Sequence, residues 1–269
     1  MKQYIEPEDS LLYYKCNNVD FVKGNGQLFT EFENGIAIRQ INIINNDMYI
    51  SSSLNDWNEN IGFLLYDGHV DSLDLSDSVP ITRVEFESKW KEALLVHVNK
   101  SQISYLKGDA SLPLEENILI IHVVNLLGLW GKGFVLSLSK QFPSAKKEYL
   151  KWSKDKETFR LGEAQFVCVG QQKPIFIANM LAQKGVKKNY KDSTTYIDYD
   201  ALRLCLKKVA RFSLINRLSI QMPKIGSGLA GGDWREIEKI INEELIYHKI
   251  KCSVFELEVN KEEGNHFYE

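Results

Sequence analysis

The sequence predicts an α/β fold over its larger C-terminal part, preceded by a small α+β region of antiparallel strands and one helix. Two observations carry this expectation. From residue 102 onward, apolar runs of strand length alternate with longer helical runs, the pattern of a mixed or parallel sheet covered on both faces. Up to about residue 80 the apolar runs are short and separated by tight-turn signals. A length of 269 residues also exceeds the usual single domain, so two domains are expected.

In the N-terminal part, residues 28–32 and 36–43 flank Glu33-Asn34-Gly35, where Asn-Gly supplies the positive φ angles of a hairpin turn. A second turn at Asn45-Asn46-Asp47 leads into a strand at 48–51, and residues 62–66 form another expected strand. Thr82-Arg83-Val84-Glu85, just after Pro80, reads as a capping box. The helix it opens would carry Phe86, Trp90 and Leu94 on one face at four-residue spacing. Residues 1–98 are thus expected as one domain, joined by a short linker near 98–101 that would bring the domains into contact. No catalytic constellation is visible in it, and a recognition or docking role toward a protein partner is the expectation.

In the C-terminal part, strands are expected at 103–107, 118–124, 164–169, 174–179, 217–222 and 251–258. Helices are expected at 132–142, 143–153, 199–212 and 234–247. Asp198 or Asp200, and Asp233, are placed to act as N-caps. Leu202, Leu206 and Val209 give the third of these helices an ordinary buried stripe. The second domain is expected to run from 102 to 258, with 259–269 a frayed acidic tail.

Composition narrows the function. The net charge of −3 gives no field favouring nucleic acid or an anionic membrane, so any phosphate binding has to be built locally from backbone amides and a few side chains. No apolar run approaches the roughly 20 residues of a membrane span, and the N-terminus lacks a secretory signal, so a cytoplasmic protein is expected. The four cysteines, Cys16, Cys168, Cys205 and Cys252, are scattered. At least three have apolar neighbours, and buried free thiols are expected rather than a metal site or disulfide framework.

In an alternating α/β sheet, ligands sit in the loops that follow the strands and lead into helices. Two loops fit. The first follows the apolar strand 118–124 and reads Asn125-Leu126-Leu127-Gly128-Leu129-Trp130-Gly131-Lys132-Gly133-Phe134, with three glycines in six residues. Glycines at a helix N-terminus let the backbone approach an anion and aim free N–H groups at it. A tight turn with Trp130 packed over it is the plainer alternative. The second loop, residues 223–233, contains Ile225-Gly226-Ser227-Gly228-Leu229-Ala230-Gly231-Gly232-Asp233, with four glycines in seven residues. Two such loops in one domain can grip a diphosphate from both sides. A third element is Gly108-Asp109-Ala110 at the end of the first strand. Asp109 there could accept a hydrogen bond from an exocyclic amine, or cap its own turn.

Gly108-Asp109-Ala110, His122-Val123-Val124-Asn125, residues 128–134 and residues 223–234, taken in this order and spacing, resemble the signatures of the macro domain family. The resemblance covers about 102–258 and is closest to the branch with ADP-ribose 1''-phosphate phosphatases and the terminal ADP-ribose protein glycohydrolase. It implies a mixed sheet between helices, and ADP-ribose or an ADP-ribosylated protein or nucleic acid as ligand, without a cofactor or a metal. By the resemblance, Asp109 holds adenine, with Gly108 and the Ala110 backbone near the pyrophosphate. Asn125 meets the distal ribose beyond Gly128, and Trp130 borders or gates that ribose. The amides of Gly131, Lys132, Gly133 and Phe134 line the diphosphate, and Ile225, Gly226, Ser227, Gly228, Leu229, Ala230 and Gly231 close over it.

The implied activity is hydrolysis of an ADP-ribosyl derivative, either removal of ADP-ribose from a modified macromolecule or dephosphorylation of ADP-ribose 1''-phosphate; the alternative is a non-enzymatic reader of ADP-ribose with an N-terminal partner-recognition domain. A docking domain at 1–98 would suit a bacterial defence, toxin-reversal or NAD-metabolism context. The glycohydrolase pattern breaks at two places, where Gln183 stands for a catalytic lysine and Ala230 for an aspartate. Lys184 and Asp233 lie close by but out of register. His122 could serve as general acid or base, as a histidine at this spacing does in the phosphatases, or could be a neutral core residue. Asp233 could act as a base, as the cap of the following helix, or as both. A water activated by the substrate's own phosphate would need neither. The lysines at 184, 187, 188 and 191 could steer an anion or simply face solvent.

Overall fold

The computed structural model describes residues 11–96, 103–170, 173–187, 189 and 191–257. The chain divides into two compact units, Met1–Ser101 and Gln102–Glu269. The linker expected near 98–101 and the tail expected from 259 lie outside the described residues.

The first unit is an antiparallel sheet with one helix. Its elements are β1 (Leu11–Phe21), β2 (Gly24–Glu33), β3 (Ile36–Ile44), β4 (Asp47–Ser51), the two-residue pair β5 (Trp57–Asn58) and β6 (Gly62–Phe63), β7 (Ser78–Pro80) and α1 (Arg83–Val96). The main sheet runs in the order β4-β3-β2-β1-β7. Both hairpin turns read from sequence have paired positive φ angles, 51° and 78° at Asn34 and Gly35 and 52° and 71° at Asn45 and Asn46. Such turns match the right-handed twist of the strands they join.

The capping box of α1 is complete. The Thr82 amide donates to Glu85 Oε2 at 2.7 Å and the Glu85 amide to Thr82 Oγ1 at 3.2 Å. The helix buries Phe86, Trp90 and Ala93. Leu94, expected on that face, is only half-buried, because the i, i+4, i+7 stripe passes through the small Ala93 instead. Beneath the helix, Arg39 is buried over the Phe86 and Trp90 rings and ion-paired to Glu31 and Glu87, while the Tyr13 hydroxyl donates to Glu31 at 2.9 Å.

The strand expected at 62–66 is a correction. Only Gly62 and Phe63 pair, with β5, and Leu64 and Leu65 are buried without entering the main sheet. Leu65 and Val70 instead pack on Phe32 and Ala37, so this apolar run covers a sheet face rather than extending the sheet.

The second unit consists of β8 (Ser104–Lys107), β9 (Ile118–Asn125), α2 (Phe134–Gln141), α3 (Pro143–Trp152), β10 (Ala164–Cys168), β11 (Ile175–Gln183), α4 (Tyr199–Asn216), β12 (Ser219–Pro223), α5 (Trp234–Glu244) and β13 (Cys252–Glu256). The strand order is β10-β11-β9-β12-β13-β8, parallel throughout except for β10 against β11. Helices flank this mixed sheet. Ile120, Val124, Ile177 and Leu181 share one core with Leu138 of α2 and Ala145 and Tyr149 of α3. Asp198 and Asp233 cap α4 and α5, each accepting from a backbone amide at 2.9 Å.

This topology decides where a ligand can sit. The five parallel strands end on one edge, so the loops after β8, β9, β11 and β12 emerge together. From β9 the chain moves to β10 and β11 on one side, and from β12 to β13 on the other. Neighbouring strands whose connections diverge leave a crevice between their following loops. Of the cysteines, Cys205 and Cys252 are buried, Cys16 is half-buried and Cys168 is exposed, fewer buried thiols than expected. Cys168 ends β10, an edge strand of the sheet.

Candidate ligand cleft

The crevice is lined by the two glycine-rich loops. Gly133 has φ 75°, and a Cβ built there would lie 3.4 Å from Leu229 Cδ1, so the loops face each other at van der Waals distance. A Cβ on Gly131 or Gly228 would meet nothing within 4 Å. Both walls therefore present bare backbone to open space. Gly133 is also the N-cap of α2 and supplies no side-chain cap, which leaves amides of the first turn without a side-chain acceptor.

The first loop is held by side chains. Asn125 Oδ1 accepts from the amides of Leu127 and Leu129 at 3.1 and 3.0 Å, and its Nδ2 donates to Leu129 O at 2.7 Å. The Asn125 carboxamide thus closes the turn that contains Gly128. Trp130 is 8% exposed, and its indole N–H donates to Val135 O at 3.1 Å and Ser139 Oγ at 2.6 Å. The ring packs on Tyr149 and His122, with centroids 5.2 and 5.3 Å away. Trp130 therefore anchors the loop from below, while Gly131, Lys132 and Gly133 stay exposed and Phe134 half-buried.

The second loop is held by its own backbone. Gly231 N donates to Gly228 O at 3.0 Å and Gly232 N to Gly226 O at 2.9 Å. Ala230 is buried, and its carbonyl accepts from the amides of Tyr196 and Ile197 at 2.8 and 3.2 Å. Ile225 is buried beneath the loop, and Ser227 Oγ donates to Lys224 O at 2.9 Å. The Lys187 ammonium lies 3.5 Å from where a Gly231 Cβ would be.

At the β8 end, Gly108 has φ 137° and Asp109 Oδ1 accepts from the Ser111 amide at 2.8 Å. The segment after Asp109 is pinned from β12. The buried Gln221 Nε2 donates to the carbonyls of Ala110 and Leu112, each at 2.7 Å, and its Oε1 accepts from the Leu114 amide at 3.0 Å. Sequence reasoning missed Gln221. Its one signal was a lone amide inside an apolar strand.

His122 is 2% exposed and belongs to a polar ladder across three strands. Gln165 Nε2 donates to Glu148 O at 3.0 Å, so Gln165 Oε1 is left to accept from Asn179 Nδ2 at 2.9 Å. Asn179 Oδ1 then faces His122 Nε2 at 2.7 Å. Because a backbone carbonyl can only accept, the chain of orientations puts the proton on Nε2. Burial pulls the imidazole down to about 4, against the opposing hydrogen bond from Asn179, so it is neutral near pH 7. Its ring supports Trp130 and Phe134, at 5.3 and 5.7 Å. Gln165 and Asn179 were also missed, again lone amides in apolar strands.

The remaining candidates are tied into the scaffold. Gln183 Nε2 donates to Gly185 O at 2.5 Å, and Lys184 pairs with the capping Asp198 at 2.8 Å. Asp233 is exposed; one oxygen caps α5, and its amide donates to the Tyr199 hydroxyl at 2.8 Å. Lys188 lies outside the described residues. Among the described residues, no group of three His, Cys, Asp or Glu side chains is placed to hold a metal ion, and no helix is long and apolar enough to cross a membrane.

The macro domain family model matches residues 121–241. The chain is similar to a macrodomain protein from Streptomyces coelicolor, with 35% identity and a TM-score of 0.50 over 58% of this chain and 99% of that one. It is also similar to a solved Bacteroides thetaiotaomicron protein of unknown function, with 45% identity and a TM-score of 0.54 over 58% of this chain and 99% of that one. Among curated proteins, it is 29% identical over 155 residues to an ADP-ribose 1''-phosphate phosphatase from Candida albicans, across 52% of this chain and 92% of the relative. Through its second unit, this chain belongs to the macro domain family.

Proposed function

We propose that the cleft binds ADP-ribose and hydrolyses an ADP-ribosyl derivative, with ADP-ribose 1''-phosphate the first substrate to try. The observation that carries this reading is the pair of facing glycine loops, bare of side chains at Gly131 and Gly228 and placed at the switch point of the sheet. Backbone amides there, with the uncapped first turn of α2, suit a diphosphate on a protein whose net charge is negative. Asp109 has a carboxylate oxygen beyond its own turn for the adenine amine, and Asn125 shapes the wall beside the distal ribose. The similarity to ADP-ribose 1''-phosphate phosphatases supports the choice of substrate.

Catalysis in this reading does not use His122 as a proton carrier, since it is neutral and buried beneath Trp130. Asp233, exposed at the end of the second loop, is the side chain to test as base. The substrate's own phosphate can otherwise activate the water. Residues 1–98 would dock a protein partner. Phosphate release from ADP-ribose 1''-phosphate, measured beside release of ADP-ribose from modified protein and DNA, tests the reading. Turnover of either class supports a hydrolase and names its leaving group. A specific observation favours the alternative of a silent reader: the amide of Gln183, where the glycohydrolases carry lysine, is spent on Gly185 O. ADP-ribose binding without turnover on any of these substrates would establish that alternative.

A further inference from the structure

The face of the first unit's sheet opposite α1 is not fully covered. A cavity of about 340 Å³ opens there, lined by residues of β1 and β2, by the strand-free segment from Leu73 to Asp77 and by Ser78 at the start of β7. This is the low end of the roughly 300–1,000 Å³ of small-ligand sites, room for one long side chain rather than a nucleotide.

Its chemistry is divided. Tyr14, Leu28, Phe32 and Leu75 give an apolar floor, with the Tyr14 and Phe32 rings edge to face at 6.2 Å. Asp20, Asp74 and Asp77 give an acidic rim, all three exposed, and none of them is in an ion pair among the described residues. The lining contains no lysine, arginine or histidine. Within it stands Thr30, 4% exposed, whose hydroxyl makes no hydrogen bond among the described residues. That hydroxyl opens to the cavity, so a group that enters can exchange a hydrogen bond with it. Asp74 is held ionised, since the Ser76 amide at 2.9 Å lowers its carboxyl below the ordinary range.

We propose that this cavity is a binding site for an arginine side chain presented by a partner polypeptide. The aliphatic stem would lie on Leu28 and Leu75, the guanidinium would stack against the aromatic wall, and its N–H groups would reach the Thr30 hydroxyl and the rim carboxylates. A planar, weakly hydrated, always charged group with five donors fits an aromatic and acidic pocket better than a compact ammonium does. The site is separate from the ADP-ribose reading and stands or falls without it.

The test is an amide NMR titration of the full chain with acetyl-Gly-Arg-Gly-amide and with the same peptide carrying neutral, nearly isosteric citrulline. The expected result is saturable binding of the arginine peptide, with shifts concentrated at residues 14–16, 28–32 and 73–78. The citrulline peptide should bind about tenfold or more weaker, as loss of charge-assisted hydrogen bonds implies. The exposed double variant Asp74→Asn with Asp77→Asn should remove that preference, and Thr30→Val should weaken binding while leaving the spectrum folded. Equal affinity for the two peptides, shifts centred elsewhere, or no saturable binding would each overturn the proposal.

Discussion

The loops after β9 and β12 are both rich in glycine and face the same crevice, yet they are fixed by different means. The first depends on two side chains, Asn125 closing its turn and Trp130 anchoring it in the core. The second depends on the absence of side chains. At Gly232 a Cβ would come within 2.8 Å of both the Gly226 carbonyl and Ile197 Cγ2. A glycine-rich loop is therefore not one kind of object. One can be disabled by truncating an asparagine, the other only by adding a methyl group.

The largest expected effect sharpens this contrast through pH. His122 lies beneath the first loop only, with a folded-state pKa of about 4 against about 6.5 when unfolded. The unfolded chain binds the proton more readily, so the stabilising contribution is complete above about pH 6.5 and is lost as pH falls toward 4. The loss amounts to about 3 kcal/mol. Urea unfolding midpoints between pH 7.5 and pH 4.5 should fall steeply, and His122→Leu should flatten that slope. An unchanged slope in the variant would show that His122 does not titrate as a buried neutral base.

Next in size are the two loop-specific lesions. Asn125→Ala removes three hydrogen bonds from the first loop and should cost about 1–3 kcal/mol. Gly232→Ala overpacks the second loop and should cost about the same. Amide exchange measured on each variant should show the loosening confined to the altered loop. If both loops loosen together in either variant, the contrast drawn here is wrong.

Asp109→Ala should cost about 1 kcal/mol of stability, through loss of the hydrogen bond from the Ser111 amide, and weaken ADP-ribose about tenfold, by loss of one charged acceptor. Unchanged affinity would misplace the adenine end. The smallest effect on stability belongs to Gly131→Ala and Gly228→Ala, where a methyl group meets nothing. These should stay within about 0.5 kcal/mol of the parent. Both should nonetheless weaken ADP-ribose, because each methyl projects into the space between the loops.

Much of this architecture was legible in the sequence. Each of the six expected strands of the second unit overlaps an observed one, because long apolar runs between glycine-rich turns leave few alternatives. The Thr82 and Glu85 cap was readable because its two partners lie three residues apart. The 11-residue β1 was missed. Its Asn17-Asn18 step falls at a register shift between Cys16 and Val19, and the alternation that marks a strand is broken there. The glycine loops could be named from sequence, but how they are held could not. The Gln221 clamp and the ladder from His122 to Gln165 are contacts between distant residues, and the Asn125 turn, though local, is a side-chain geometry; periodicity carries no trace of either. The role of Trp130 was open for the same reason, since its indole N–H finds Ser139 only once α2 is in place.

The most direct test of the central claim is a calorimetric titration of the full chain with ADP-ribose, repeated on Gly228→Ala. The account predicts saturable one-to-one binding to the parent chain and clearly weaker binding to the equally stable variant. Absence of binding to the parent, or equal binding to both, would contradict the placement of ADP-ribose between the two glycine loops.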